Sequence, residues 1–163
     1  AFFRKVFEER AAMFPDVSAS SAYVDATALD MVRRPWTMDV LVTENMFGDI
    51  LSDLGAGLMG GMGMAPSADI GDDHAVFQPC HGTAPDIVGQ GKANPTAMFL
   101  SGAMMLEWLG TKHQSASAVQ AARLIEAAVS QAYVEKRLKP FELGGTDGTR
   151  EITGAVLAAL EAS

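Results

Sequence analysis

Asp49 and Asp53 stand four residues apart in the stretch Thr43-Glu44-Asn45-Met46-Phe47-Gly48-Asp49-Ile50-Leu51-Ser52-Asp53, which reads as the entry and first turns of a helix. At that spacing two carboxylates project from one helix face. From Pro35 to Gly91 there is no Lys and no Arg, while Asp39, Glu44, Asp49, Asp53, Asp69, Asp72, Asp73 and Asp86 all fall there. Two like charges side by side weaken a helix slightly unless a cation arrives from elsewhere. With Asp25, from another segment, they make three hard oxygen donors suited to Mg2+ or Mn2+, with waters and substrate oxygens completing the shell. The competing reading is a solvated acidic surface. Against it stands the wheel: Met46, Phe47, Ile50, Leu51, Leu54 and Leu58 form one apolar face, with the two Asp residues at its border. That position predicts acids half-buried at an interface or cleft.

A second candidate is the loop Pro79-Cys80-His81-Gly82-Thr83-Ala84-Pro85-Asp86-Ile87 and its continuation to Asn94. Its Gly and Pro residues shape a backbone surface that a flat ligand can approach closely. His81 and Asn94 offer ring and amide hydrogen bonds suited to adenine. Asp86 can accept both hydroxyls of a ribose, and its charge repels a 2′-phosphate. The competing reading is an ordered structural loop with a helix cap at Asn94. No G-x-G-x-x-G is present, so the usual dinucleotide fingerprint lends nothing. Cys80 beside His81 is no thiolate pair, because adjacent side chains seldom face one another. Leu143 to Thr149 is a Gly-rich polar loop without the lysine of a P-loop.

These candidates sit in a chain of 163 residues, 48% apolar and carrying a net charge of −8. Such a chain builds a real core, and its charge argues against nucleic-acid partners and anionic membranes. A single cysteine excludes an internal disulfide and fits a reducing, cytoplasmic setting. No apolar run reaches the ~18 residues of a membrane span. The opening Ala-Phe-Phe-Arg-Lys-Val-Phe-Glu-Glu-Arg is not a signal peptide. It begins inside a helical pattern without Met, which predicts a fragment.

The elements that must position the candidates follow from periodicity. A first helix stops at Pro15-Asp16. Val17 to Val24 and Met38 to Val42 read as strands, with a short helix from Ala26 to Val32 between them. The helix from Asn45 loosens at Gly55, Gly57, Gly60, Gly61 and Gly63, which places a domain crossing near residues 60–63. Short extended pieces flank the acidic turn at Asp72-Asp73. Asn94-Pro95 opens a helix that is apolar nearly all round, expected to be buried and to end at Gly110. Ser117 to Arg137 and the segment up to Glu161 complete the helices. Early strand–helix alternation points to α/β.

Taken together, Tyr-Val-Asp (23–25), Asn-Met-Phe-Gly-Asp-Ile-Leu-Ser-Asp (45–53), Gly-Met-Ala-Pro-Ser-Ala (63–68), His-Gly-Thr-Ala-Pro-Asp-Ile (81–87) and Ala-Asn-Pro (93–95) resemble the isocitrate/isopropylmalate dehydrogenase family, most closely its isopropylmalate branch. The resemblance implies the C-terminal half of an α/β fold with two interleaved domains. Residues 1–61 would be the rear part of a dimerising, metal-binding domain, and residues 62–163 part of a cofactor domain. It implies oxidation and decarboxylation of a 2-hydroxy acid, 3-isopropylmalate above isocitrate, homoisocitrate, tartrate or malate, in a homodimer. Asp25, Asp49 and Asp53 match the family's Mg2+/Mn2+ ligands, with Asp25 in the catalytic set and contributed across the dimer. His81, Gly82, Thr83, Ala84, Pro85, Asp86, Ile87 and Asn94 match the NAD(P) site, and Asp86 favours NAD. The family's substrate arginines and catalytic tyrosine and lysine match nothing here, so a chain inactive alone, keeping only dimerisation or nucleotide binding, is a further expectation. Gln78 and Glu142 stand where the family often has Glu and Asp.

Overall fold

The computed structural model describes residues 2–162. The chain forms two compact units, Ala1–Leu58 and Met59–Ser163.

In the first unit, α1 (Phe2–Ala11), α2 (Val24–Arg33) and α3 (Asn45–Leu58) are the helices. Helices α2 and α3 pack together. Leu51 and Ala56 are buried, and a methyl group built on Gly55 would touch Met31 Cε at 3.6 Å. The expected strands at Val17 to Val24 and Met38 to Val42 do not form among the described residues. Residues 17–23 and 38–42 are open chain, with Val17 64%, Val40 81% and Val42 60% exposed, and Val24 already opens α2. A strand satisfies its backbone only against a neighbour, and this unit supplies none. The alternation is in the sequence; no strand partners it among the described residues of this unit.

In the second unit, β1 (Pro66–Ile70) and β2 (Ala75–Pro79) pair antiparallel, with Ala68 opposite Phe77. Helices α4 (Thr96–Lys112), α5 (Ala116–Lys136) and α6 (Thr149–Glu161) follow. The hairpin lies on α4, α4 on α5, and α5 on α6. Phe77 meets Trp108 with ring centroids 6.0 Å apart, and the Lys112 ammonium donates to the carbonyls of Asp72 (3.1 Å) and Asp73 (2.6 Å). The acidic turn is thereby tied to the end of α4. Ala128, Val129, Ala132, Val156 and Ala159 form the core, with Phe99, Leu100 and Tyr133 against it.

Two expectations about α4 need correction. It is not buried all round: Met98 is 58% exposed, and the fully buried positions are the small residues Ala97, Ser101 and Ala103 together with Thr96. Small side chains let α4 and α5 approach closely, which pushes the larger apolar residues outward. Nor does it end at Gly110. A methyl group there would stand 2.6 Å from Val119 Cγ2 and 2.9 Å from the Val119 backbone nitrogen, so glycine marks a helix crossing rather than a stop. Gly110→Ala should therefore destabilise the chain by about 1–3 kcal/mol despite the better helix propensity of Ala, because backbone atoms cannot step aside. Urea denaturation checks this; a stabilised variant would contradict the close crossing.

Candidate functional site

The acids of the first unit lie on two helices. Asp49 and Asp53 project from successive turns of α3, and Asp25 occupies the first turn of α2. All three are exposed, which corrects the expected half-burial. The reason lies in α3, where Met46 (62%) and Ile50 (55%) are themselves uncovered. Asp49 accepts a hydrogen bond from Asn45 Nδ2 (3.2 Å), and Asp25 accepts one from the backbone N–H of Ala26 (2.9 Å). The ion pairs among the described residues are Arg4–Glu8, Lys5–Glu9 and Asp30–Arg34, so none of the three acids has a basic partner there. Nor do any three acidic, His or Cys side chains among those residues converge on one point. The structure thus brings Asp49 and Asp53 to one helix face and does not bring Asp25 to them. Two adjacent carboxylates with free oxygens fit one side of a hard cation's shell, and a third ligand would have to come from elsewhere.

The loop of the second unit is held at both ends and open between. At its start, the Cys80 N–H donates to the Ala65 carbonyl (3.4 Å). Near its end, the Thr149 N–H donates to the Gly91 carbonyl (2.8 Å), and the Thr149 hydroxyl donates to the carbonyl of Ala93. Gly148 has no room for a side chain, since a methyl group would lie 2.2 Å from the Gly91 oxygen. The start of α6 therefore sits directly on residues 91–93. Between these anchors, His81, Gly82, Thr83, Ala84, Pro85 and Asp86 are exposed and Ile87 is half-buried. Their hydrogen bonds are local: His81 Nδ1 with the Gly82 carbonyl (3.0 Å), and Gln90 Nε2 to the Asp86 carbonyl (2.7 Å). Ala84 adopts a left-handed conformation (φ 42°), a strain of ~1–2 kcal/mol for a non-glycine residue, directly before the turn Pro85–Ile87. Such strain collects where a loop is shaped for a ligand. The Asp86 carboxylate has no partner among the described residues and stays available.

Asn94 is placed differently from its expected role. It is buried (8% exposed), and its amide is saturated. Nδ2 donates to Glu142 Oε1 (2.8 Å) and contacts Met64 Sδ (3.3 Å). Oδ1 accepts from the Thr96 N–H (3.0 Å) and from the Tyr133 hydroxyl (3.4 Å). An amide has two donors and two acceptor positions, and all four are engaged, so none is left for adenine. The Thr96 hydroxyl lies 2.8 Å from the Tyr133 hydroxyl, and Glu142 Oε2 accepts from the Gly63 N–H at 3.3 Å. Glu142, noted in the sequence as a departure from the family, and Tyr133, read there as part of an apolar helix face, are the side-chain partners of Asn94. Tyr133 carried a signal, a polar tip on the apolar face of α5; Glu142 carried only its departure from the family's usual Asp.

The isocitrate/isopropylmalate dehydrogenase family matches residues 1–156. The chain belongs to that family. It is 46% identical over 159 residues to a probable NAD isocitrate dehydrogenase subunit alpha of Caenorhabditis elegans, and 44% identical over 159 residues to 3-isopropylmalate dehydrogenase of Archaeoglobus fulgidus. These alignments take in 98% of this chain but 42% and 46% of the relatives. Its fold is similar to isocitrate dehydrogenase from Methylococcus capsulatus (TM-score 0.83, 43% identity, 97% of this chain and 45% of that one). The chain therefore spans less than half the length of these relatives, and its helices and small sheet match a part of their α/β fold.

Burial pushes the Tyr133 phenol above its ordinary value, partly offset by the Thr96 and Asn94 hydrogen bonds. Its contribution to stability is thus complete below about pH 10 and is lost as pH rises through the raised folded value. Tyr133→Phe should cost about 1 kcal/mol at pH 7 from the lost hydrogen bonds, with the deficit shrinking above pH 10. Urea titrations of both proteins at pH 7 and pH 10.5 measure the difference; a deficit that grows with pH would refute the assignment.

Proposed function

We propose that this chain is the C-terminal portion of an NAD-dependent, divalent-metal-dependent oxidative decarboxylase of a 2-hydroxy acid, working as a homodimer. In this reading residues 1–61 belong to the dimerising, metal-binding domain and residues 62–163 to the cofactor domain. The observation that carries it is a loop fixed at both ends and open in the middle, presenting an unpaired Asp86 carboxylate, in a chain of this family. Asp86 would take the ribose diol and turn away a 2′-phosphate. His81 would face the adenine with the ring nitrogen its Gly82 contact leaves over. Gly82 to Ile87 would give the backbone surface under the nucleotide, and Asn94 would hold that surface in place.

Asp49 and Asp53 would hold Mg2+ or Mn2+ together with Asp25 of a second copy, and Asp25 would thereby enter the catalytic set. When bound, the metal supplies Lewis acidity toward the substrate's oxygens, and NAD supplies the hydride acceptor. The acids of this chain would orient the hydroxy acid by fixing where its hydroxyl and carboxylate can sit. Relatives named for isocitrate and for 3-isopropylmalate match at 46% and 44%, which does not separate the two, so the reading follows the motif resemblance in taking 3-isopropylmalate as the first substrate to assay and isocitrate as the second. The chain alone would not turn over, because the residues that grip the substrate lie outside it. The cytoplasm suits such a metabolic enzyme, and no helix of the described residues is long and apolar enough to cross a membrane.

For the cofactor, thermal-shift titration should show stabilisation by NAD well above NADP, and Asp86→Lys should reverse that order. Stronger stabilisation of the unaltered protein by NADP would sink the role given to Asp86. For the metal, calorimetry with Mn2+ should show at least tenfold weaker binding in Asp49→Asn and in Asp53→Asn, since each removes one of two adjacent charged ligands. Equal binding by both variants would place the cation elsewhere.

A further inference from the structure

We propose that Glu142 is a positioning residue for the cofactor loop, closing a hydrogen-bonded ring that fixes the loop's end through Asn94. The proposal rests on the cofactor reading of residues 81–94 given above and gives that site a part that lies outside the loop.

The ring joins three separated segments. The Gly63 N–H donates to Glu142 Oε2 (3.3 Å), and Asn94 Nδ2 donates to Glu142 Oε1 (2.8 Å). Asn94 Oδ1 accepts from the Thr96 N–H (3.0 Å), and the Ala97 N–H returns to the Gly63 carbonyl (2.8 Å). Each oxygen of the carboxylate has its own donor, on a different segment. The approach is close enough to require glycine at 63: a methyl group there would lie 2.6 Å from Glu142 Oε1 and 2.8 Å from Asn94 Cβ. A methyl group at Gly61 would come within 3.3 Å of the same carboxylate.

Glu142 is exposed, and the backbone that carries it is tied down. It sits in the short turn Phe141–Leu143, after the fully buried Pro140. Pro140 bridges to Asp147, and the Lys139 N–H donates to Asp147 Oδ2 (2.6 Å). The Gly-rich stretch 143–149, considered above as a phosphate loop, thus serves as the frame that carries Glu142 on one side and Thr149 on the other. Both reach the last residues of the cofactor loop. Residues 81–88 have only local hydrogen bonds, so the direction in which Asp86 is presented depends on these anchors.

Glutamine at 142 keeps the size but turns one acceptor into a donor, which then faces a donor. Aspartate keeps the charge but is one methylene short of spanning both partners. The test uses the whole protein with two readouts, amide exchange at Gly63 and Thr96 by NMR and calorimetric affinity for NAD and NADP. Glu142→Gln should speed Gly63 exchange at least tenfold and weaken both cofactors by about tenfold, leaving their ratio unchanged, as expected for loss of a hydrogen bond to a charged group. Glu142→Asp should fall between. Faster exchange with unaltered cofactor affinity would make the ring a structural tie only and overturn the proposal, as would unaltered exchange. A changed NAD to NADP ratio would mean that Glu142 senses the cofactor's charge directly, which also overturns it. If the unaltered protein binds neither cofactor, the reading of the loop fails and the positioning role falls with it; unaltered binding in both variants refutes the positioning role alone.

Discussion

The second unit depends on one buried amide. Asn94 joins the end of the exposed loop to the start of α4, to α5 through Tyr133 and to the turn at Glu142. The Thr96 N–H and hydroxyl are polar groups that burial would otherwise strand, while Glu142 is an exposed acceptor. The Thr96 N–H belongs to the first turn of a helix, where no backbone acceptor exists, and Asn94 Oδ1 meets it. Leaving a buried donor unpaired costs about 1–3 kcal/mol, more than a hydrogen bond usually returns. The loop end is fixed because every alternative position for Asn94 would orphan several groups at once. Among the described residues, Ser101 Oγ is the one buried side-chain polar atom without a partner, which shows how fully the rest are matched.

What the sequence made legible were features decided locally. The spacing from Asn45 onward marked the start of α3, because its apolar positions recur at helical intervals and no proline intervenes; the glycines that were read as loosening it from Gly55 do not end it before Leu58. Asn94-Pro95 marked the start of α4, although regular helical geometry begins only at Thr96 and Asn94 caps it by accepting that residue's N–H. The hairpin around Asp72-Asp73 was legible from a turn between two short extended pieces. Val17 to Val24 and Met38 to Val42 were not legible as open chain, since alternation reports which side chains want a sheet and is silent on whether a neighbouring strand is present. The ring at Glu142 was illegible for a related reason. Gly63, Asn94 and Glu142 lie 31 and 48 residues apart in sequence, and no local period connects them.

The family motifs identified the candidate side chains, and the structure sorted them. Asn94 and Thr96 are buried with their polar atoms bonded, the half-buried Tyr133 bonds to both, and the exposed Glu142 bonds to Asn94 and Gly63. Asp86, Asp49 and Asp53 keep charged oxygens that nothing basic among the described residues takes up. A protein selected only for stability would offset those charges with nearby lysines, since like carboxylates one turn apart on α3 repel at a few tenths of a kcal/mol. In the proposed reading these three acids serve metal and cofactor, and the saturated amide beside the loop serves geometry. In the same reading Asn94, which the motif offered as a ligand contact, would hold the ligand-facing loop still, since its side-chain amide is already bonded at every position.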